Sequence, residues 1–196
     1  MNRTKKMDTS EKIMMAAIDL MAEHGYNGVS TQEIAARAGF SEKTLFRHFQ
    51  SKQNLLESAF NHYHYAEEMK DLFHEKIVWD LHADLLLICR SYHRIMYQNR
   101  KLIKISAKVG DKLPGFRERT HRHPQQLKDF LTGYFEEMYK KGKVIEMDFE
   151  SKAIAFLYMN YGTAMGRMNN DPILTDIPFE SFVEESVSIF TRALRP

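Results

Sequence analysis

Apolar residues along this chain recur at intervals of three and four and almost never alternate, so the pattern is that of amphipathic helices. No long β-branched alternating run appears. Asp8, with Glu11 three residues on, predicts a capped first helix that lines up Ile13, Ala17, Leu20 and Met21. Ser30 with Glu33 repeats the signature for a short second helix, with Ile34, Ala35 and Ala38 turned inward, ending at Gly39. A third runs from a Ser41 cap through Leu45 and Phe49. Ser51 caps a fourth, whose apolar positions Leu55, Leu56, Ala59, Phe60 and Tyr63 continue toward Ile77. Unbroken, that helix would be about 40 Å long.

Longer helices follow. They are expected over 81–98 (Leu85, Cys89, Tyr92 and Met96 on one face), 100–109, 117–141 (Leu127, Leu131, Tyr134, Met138), 149–168 and 179–194. Gly25, Gly39, Gly110 and Gly142 each close a periodic segment. The fold class is therefore all-α: an N-terminal three-helix domain followed by a larger helical domain, about nine helices in total.

Composition narrows the classes. The 196 residues allow one domain, or a small one joined to a larger. With 43% hydrophobic residues the chain is too apolar to be disordered. The longest aliphatic run, Leu85 to Cys89, is far short of a bilayer span. Met1 to Ser10 is polar and basic, which does not read as a secretory signal. The single Cys89 excludes an internal disulfide framework. A soluble, cytoplasmic protein without a membrane partner is expected. The net charge of +2 is too small for binding nucleic acid through bulk charge, so such binding must rest on where the charges lie.

The stretch Thr31 to Gln50 carries the most information. Two short helices crossing at a sharp angle need a small residue between them, which Ala35 supplies, and a turn residue that tolerates positive φ, which is Gly39. Ile34, Phe40 and Leu45 form the wedge of core that fixes the angle. This is helix-turn-helix spacing, which presents the helix after the turn to a DNA major groove. Its exposed face offers Glu42, Lys43, Arg47 and His48, able to meet base edges and phosphates. The helix N-termini at 30–31 and 51–52 present N–H groups suited to phosphate.

The residues His24-Gly25-Tyr26, Val29-Ser30-Thr31, Ile34 to Ser41, Thr44 to Phe49 and Ser51-Lys52 together resemble the TetR-type transcriptional regulators, over about Ser10 to Glu57. The resemblance implies a helix-turn-helix DNA-binding domain over 1–52 and an effector-binding, dimerisation domain over 53–196. It also implies a homodimer that docks on a palindromic double-stranded DNA operator. By the same resemblance Thr31 and Lys52 are phosphate contacts, Lys43, Thr44 and Arg47 groove contacts, and His48 a backbone contact. Ser41, Glu42 and Phe46 complete the expected DNA-binding set. Phe46 stands where the family commonly has tyrosine, so a phosphate bond through that hydroxyl is missing.

The remaining features admit more than one use. Residues 90–123 carry ten basic and two acidic side chains, among them Arg90, Arg94, Arg100, Lys101, Lys104, Lys108 and Lys112. They fit a solvated face, long-range attraction to DNA, or an attractor for an anionic effector such as a fatty-acyl carboxylate; the first is the commonest use of such runs. Trp79, Cys89, Tyr92, Met96, Phe116, Tyr134, Tyr161 and Met165 are candidate lining for a small-molecule effector pocket, against the alternative of plain core. Ala153, Leu157, Ala164, Phe182, Ser186 and Ile189, with Gly162 and Gly166 nearby, are candidates for a four-helix dimer interface, against packing within one chain.

No cofactor and no metal site is expected: His121 and His123, like His62 and His64, are spaced to opposite helix faces, and Val78 replaces the second His after His74-Glu75. No phosphate-cradling loop, nucleophile elbow or paired carboxylate stands out, so the chain does not read as an enzyme. The resulting expectation is a ligand-responsive regulator, a repressor released by a small and largely apolar effector. The rivals are an architectural DNA-binding protein without effector and an all-α enzyme acting on lipid. The second leaves the helix-turn-helix unexplained.

Overall fold

The computed structural model describes residues 7–63, 66–109, 112–116, 118 and 122–196. Helices begin where the cap residues stand: α1 spans Thr9–His24, α2 Thr31–Ala38, α3 Glu42–Phe49 and α4 Lys52–His62. Each opens on a side-chain oxygen that accepts from a backbone N–H with no partner inside the helix. Asp8 accepts from Glu11 at 2.8 Å, Ser30 from Glu33 at 3.2 Å, Ser41 from Thr44 at 3.2 Å and Ser51 from Asn54 at 3.0 Å. Glu11 and Glu33 in turn accept from the N–H groups of Asp8 and Ser30, which closes two capping boxes.

The chain packs as two compact units, Met1–His64 with Asn99–His121 and Tyr65–Gln98 with Arg122–Pro196. The first unit thus takes in more than residues 1–52. Besides α1–α4 it holds α7, Arg100–Val109, whose Leu102, Ile105 and Val109 join α1 in the core. Ile13, Ala17, Met21, Ile34, Ala35, Leu45, Leu55, Leu56 and Ala59 are buried around them.

The expected long fourth helix is shorter. It ends at His62, with the Tyr63 N–H still bonded to the Ala59 carbonyl at 3.0 Å. The run Asn61-His62-Tyr63-His64-Tyr65 consists of weak helix formers. Phe60 and Tyr63 are only half-buried against the core and Asn61 and His62 are exposed, so packing supports this helix end weakly. Helix resumes as α5, Ala66–Asp71, which continues into one π turn, Leu72–Lys76.

The second unit is completed by α6 (Leu81–Gln98), α8 (Arg122–Lys140), α9 (Phe149–Met168), the single-turn α10 (Pro172–Thr175) and α11 (Phe179–Leu194). Eleven α-helices are therefore present among the described residues, two more than expected, because α5 separates from α4 and α10 is too short to show periodicity. α6 packs against α11, α9 and α5, and α8 against α9 and α5, with Leu85, Phe135, Met138, Ala153, Phe156, Val183 and Val187 buried. Asp84 is fully buried, and both its carboxylate oxygens are used: Oδ1 accepts from the Val78 N–H at 2.9 Å and Oδ2 from the Tyr134 hydroxyl at 3.0 Å. The expected helix-closing Gly110, and His64 and His121 among the histidines, lie outside the described residues.

Candidate DNA-binding site

Gly39 ends α2 at φ +80°, ψ 28°, the left-handed conformation that glycine adopts most cheaply. Its N–H donates to the Ala36 carbonyl at 3.1 Å, and the Phe40 N–H donates to that of Ala35 at 2.9 Å. The chain therefore turns within two residues, and Ser41 starts α3. Ile34, Ala35 and Leu45 have no measurable exposure, so the two helices meet through close-packed apolar atoms. With Leu45 and Phe49 inward, helical periodicity turns Lys43, Phe46 and Arg47 outward, and all three are exposed, as is His48.

Several residues expected to touch DNA are also held within the chain. The Thr31 hydroxyl donates to Glu42 Oε1 at 2.5 Å, a bond that ties the start of α2 to the start of α3. That hydroxyl proton is thus spent on Glu42 rather than presented to phosphate. Ser41 Oγ lies 3.0 Å from Thr44 Oγ1 and serves as the α3 cap. His48 Nδ1 is 3.4 Å from Ser10 Oγ on α1. Lys52 Nζ donates to the Val29 carbonyl and lies 4.5 Å from the centre of the Tyr26 ring. Partial burial lowers the pKa of that ammonium, and the Glu33 charge opposes the shift. An ammonium has three donors, so two remain for a phosphate. Lys43 and Arg47 are the exposed cations on α3 itself.

The segment 13–59 matches the family model described as bacterial regulatory proteins, tetR family. The helix-turn-helix segment is therefore of the TetR type. It is 27% identical over 186 residues to the uncharacterized HTH-type transcriptional regulator YvkB of Bacillus subtilis, covering 95% of this chain and 97% of YvkB. The fold is shared with a TetR transcription regulator from Haloarcula marismortui (TM-score 0.76, 20% identity, 96% of this chain and 99% of that one). It is shared also with the transcriptional regulator FadR from Bacillus subtilis in complex with stearoyl-CoA (TM-score 0.74, 18% identity, 93% and 97%). Over its whole length the chain is thus similar to HTH-type transcriptional regulators, and it shares the fold of TetR regulators. Among the described residues no helix is long and apolar enough to cross a membrane.

The pocket candidates do not all come together in this chain. Cys89, Tyr92 and Met96 lie buried along α6. Trp79, held at φ +61°, stacks on Tyr134 at 6.0 Å between centroids, and Lys141 Nζ lies 4.6 Å from its ring centre. Phe116 belongs instead to the core of the first unit, edge-on to Phe60 at 6.2 Å. Tyr161 is exposed and Met165 half-buried on α9.

The interface candidates divide similarly. Ala153, Leu157, Ala164 and Ser186 are buried by the chain itself, Phe182 is half-buried, and Ile189 is 62% exposed. Gly166 makes room for Leu174, whose Cδ1 would lie 2.4 Å from an added Cβ, whereas Gly162 faces open space. The apolar face of α9 that no described residue fully covers is another one: Ile154, Tyr158, Tyr161 and the half-buried Met165, at steps of four, three and four. Periodicity alone ranks both faces as apolar, so the sequence could have offered this stripe but not chosen it. Of the basic side chains, Arg90 pairs with Glu180 at 2.9 Å and Glu184 at 2.6 Å, Arg94 with Glu68, and Lys101 with Asp19 at 2.7 Å. These are exposed pairs, in keeping with a solvated face.

Proposed function

We propose that this chain is a TetR-family regulator, a ligand-responsive repressor that binds a palindromic operator as a homodimer. The observation that carries the DNA-reading half is the outward row Lys43, Phe46 and Arg47 on a helix braced from behind by Leu45 and by the Thr31–Glu42 bond. Arg47 reads a base edge and Lys43 reaches groove or phosphate, with Thr44 beside them. Phe46 packs on sugar, and His48, Lys52 and the N–H groups at the starts of α2 and α4 hold the backbone. Ser41 and Glu42 set the helix rather than touch bases.

Dimerisation, in this reading, uses α9 and α11 through the exposed stripe Ile154, Tyr158, Tyr161 and Met165 with Ile189. A dimer gains from two half-sites only when its reading heads match the groove repeat of roughly 34 Å. An effector that binds better to the arrangement with mismatched heads shifts the population away from DNA. A largely apolar effector is supported by the similarity to a FadR in complex with stearoyl-CoA and by the aromatic and Met content of the second unit.

Selection of bound sites from random DNA, followed by titration with single variants, tests this reading. Arg47→Ala should weaken the selected site by roughly 1–3 kcal/mol and relax preference at one base pair. Lys52→Ala should weaken binding to all sequences and flatten the salt dependence. Indistinguishable behaviour of the two variants would remove the assignment of roles. Absence of any selected sequence would remove the operator.

A further inference from the structure

The interior of the second unit carries polar groups that its packing does not use. On α6, Cys89 and His93 are one turn apart; on α9, Asn160, Thr163 and Arg167 follow at three- and four-residue steps, so each set shares a face. Asn160 joins the two helices. Its Oδ1 accepts from the Cys89 thiol at 2.8 Å, its Nδ2 donates to the Phe156 carbonyl at 2.8 Å, and it hydrogen-bonds His93. His93 is 7% exposed, and its Nε2 has no partner. In the neutral ring with its proton on Nδ1, Nε2 is a bare, buried acceptor.

Arg167 supplies the complementary group. A terminal nitrogen donates to the Ile177 carbonyl at 2.8 Å, but its buried Nε–H has no acceptor. The His93 ring lies 5.0 Å from the Phe179 ring centre, and the Arg167 guanidinium carbon lies 5.5 Å from the same point. An unpaired acceptor and an unpaired donor thus flank one aromatic ring, and native interiors rarely leave two such groups unmatched.

We propose that His93 and Arg167 form the polar end of a small-molecule site in the second unit, which takes an apolar ligand bearing one uncharged hydroxyl group. The hydroxyl proton is donated to His93 Nε2, its oxygen accepts from Arg167 Nε–H, and Phe179 packs beside the apolar body. A carboxylate satisfies only half of this arrangement: it has no proton for Nε2, and burial resists placing that proton on the ring. The inference rests on the effector reading above and narrows its ligand class from acyl acids to alcohols and phenols.

The test compares para-cresol with para-xylene, which replaces the hydroxyl by a methyl group, and with para-toluate as the carboxylate, by calorimetry on the full chain. Cresol should bind about tenfold tighter than xylene or better, and tighter than toluate. His93→Leu should abolish the preference while xylene still binds, and His93→Gln, which keeps an acceptor near Nε2, should retain it. Should His93→Leu not fold, Arg167→Leu and the wild-type comparison decide. Equal affinities, or tightest binding of toluate, overturn the proposal, as does cresol binding unaffected by both leucine variants. Cresol binding that leaves operator affinity unchanged upholds the site and defeats the effector reading. Release of DNA by stearoyl-CoA with no cresol binding does the reverse.

Discussion

A Cβ added at Gly39 would find no atom within 4 Å, so the cost of Gly39→Ala is the left-handed backbone alone. That cost is about 1–2 kcal/mol. Urea denaturation should show that loss of stability; an unchanged midpoint would mean that the turn relaxes out of its φ of +80°. His93 gives a second residue-level expectation. Burial, with the Arg167 charge adding to it and the Asn160 bond opposing, pushes the imidazole down to about 4, whereas in an unfolded chain it titrates near 6.5. Between those values the unfolded chain binds more protons than the folded one, so stability rises with pH across the window and falls as acid is added. The full window is worth about 3 kcal/mol. Denaturation midpoints from pH 4.5 to 7 should show this slope in the wild type, and His93→Leu should flatten it.

Adjacent residues of α3 separate folding from reading. Leu45 is wholly buried, and Leu45→Ala should cost roughly 2–5 kcal/mol, with DNA binding lost because the angle between α2 and α3 goes with it. Phe46 is 43% exposed, and Phe46→Ala should leave stability within about 0.5 kcal/mol while weakening operator binding. Thermal melts and gel shifts on the two variants check the contrast. If Phe46→Ala left DNA affinity intact, no sugar packing would occur there. The legibility of these elements follows from locality. Caps such as Ser30 with Glu33, and a turn such as Gly39-Phe40, are decided by residues three or four apart, so the sequence shows them directly. The Thr31–Glu42 bond and the Lys52 contact with Val29 depend on how helices meet, which spacing does not reveal. The same is true of α4: Tyr63 continues the periodicity of Leu55 and Ala59, yet the helix ends at His62.

Periodicity also fails to tell which apolar face a chain covers for itself. On α9 it offered Ala153, Leu157 and Ala164 as dimer-interface candidates, with packing within one chain as the alternative, and all three are buried inside one copy. What remains exposed is Tyr158 at 66%, with Ile154 and Tyr161, and Ile189 at 62% on α11. The α9 stripe is a row of large apolar side chains held in water, which is costly for a lone chain and marks an interaction surface, and Ile189 is a further exposed apolar position on α11. If two copies meet there, a charge placed at its centre must be buried without a partner. Tyr158→Glu combined with Ile189→Arg should therefore shift the molecule from dimer to monomer in sedimentation at micromolar concentration. Stability of the single chain should hardly change, because neither side chain belongs to its core. Each monomer would keep its α3 surface but reach only one half-site, so affinity for the full palindrome should fall to that for an isolated half-site. A variant that still sediments as a dimer and still grips the palindrome would place the contact between copies elsewhere, and the exposed stripe would then need another partner.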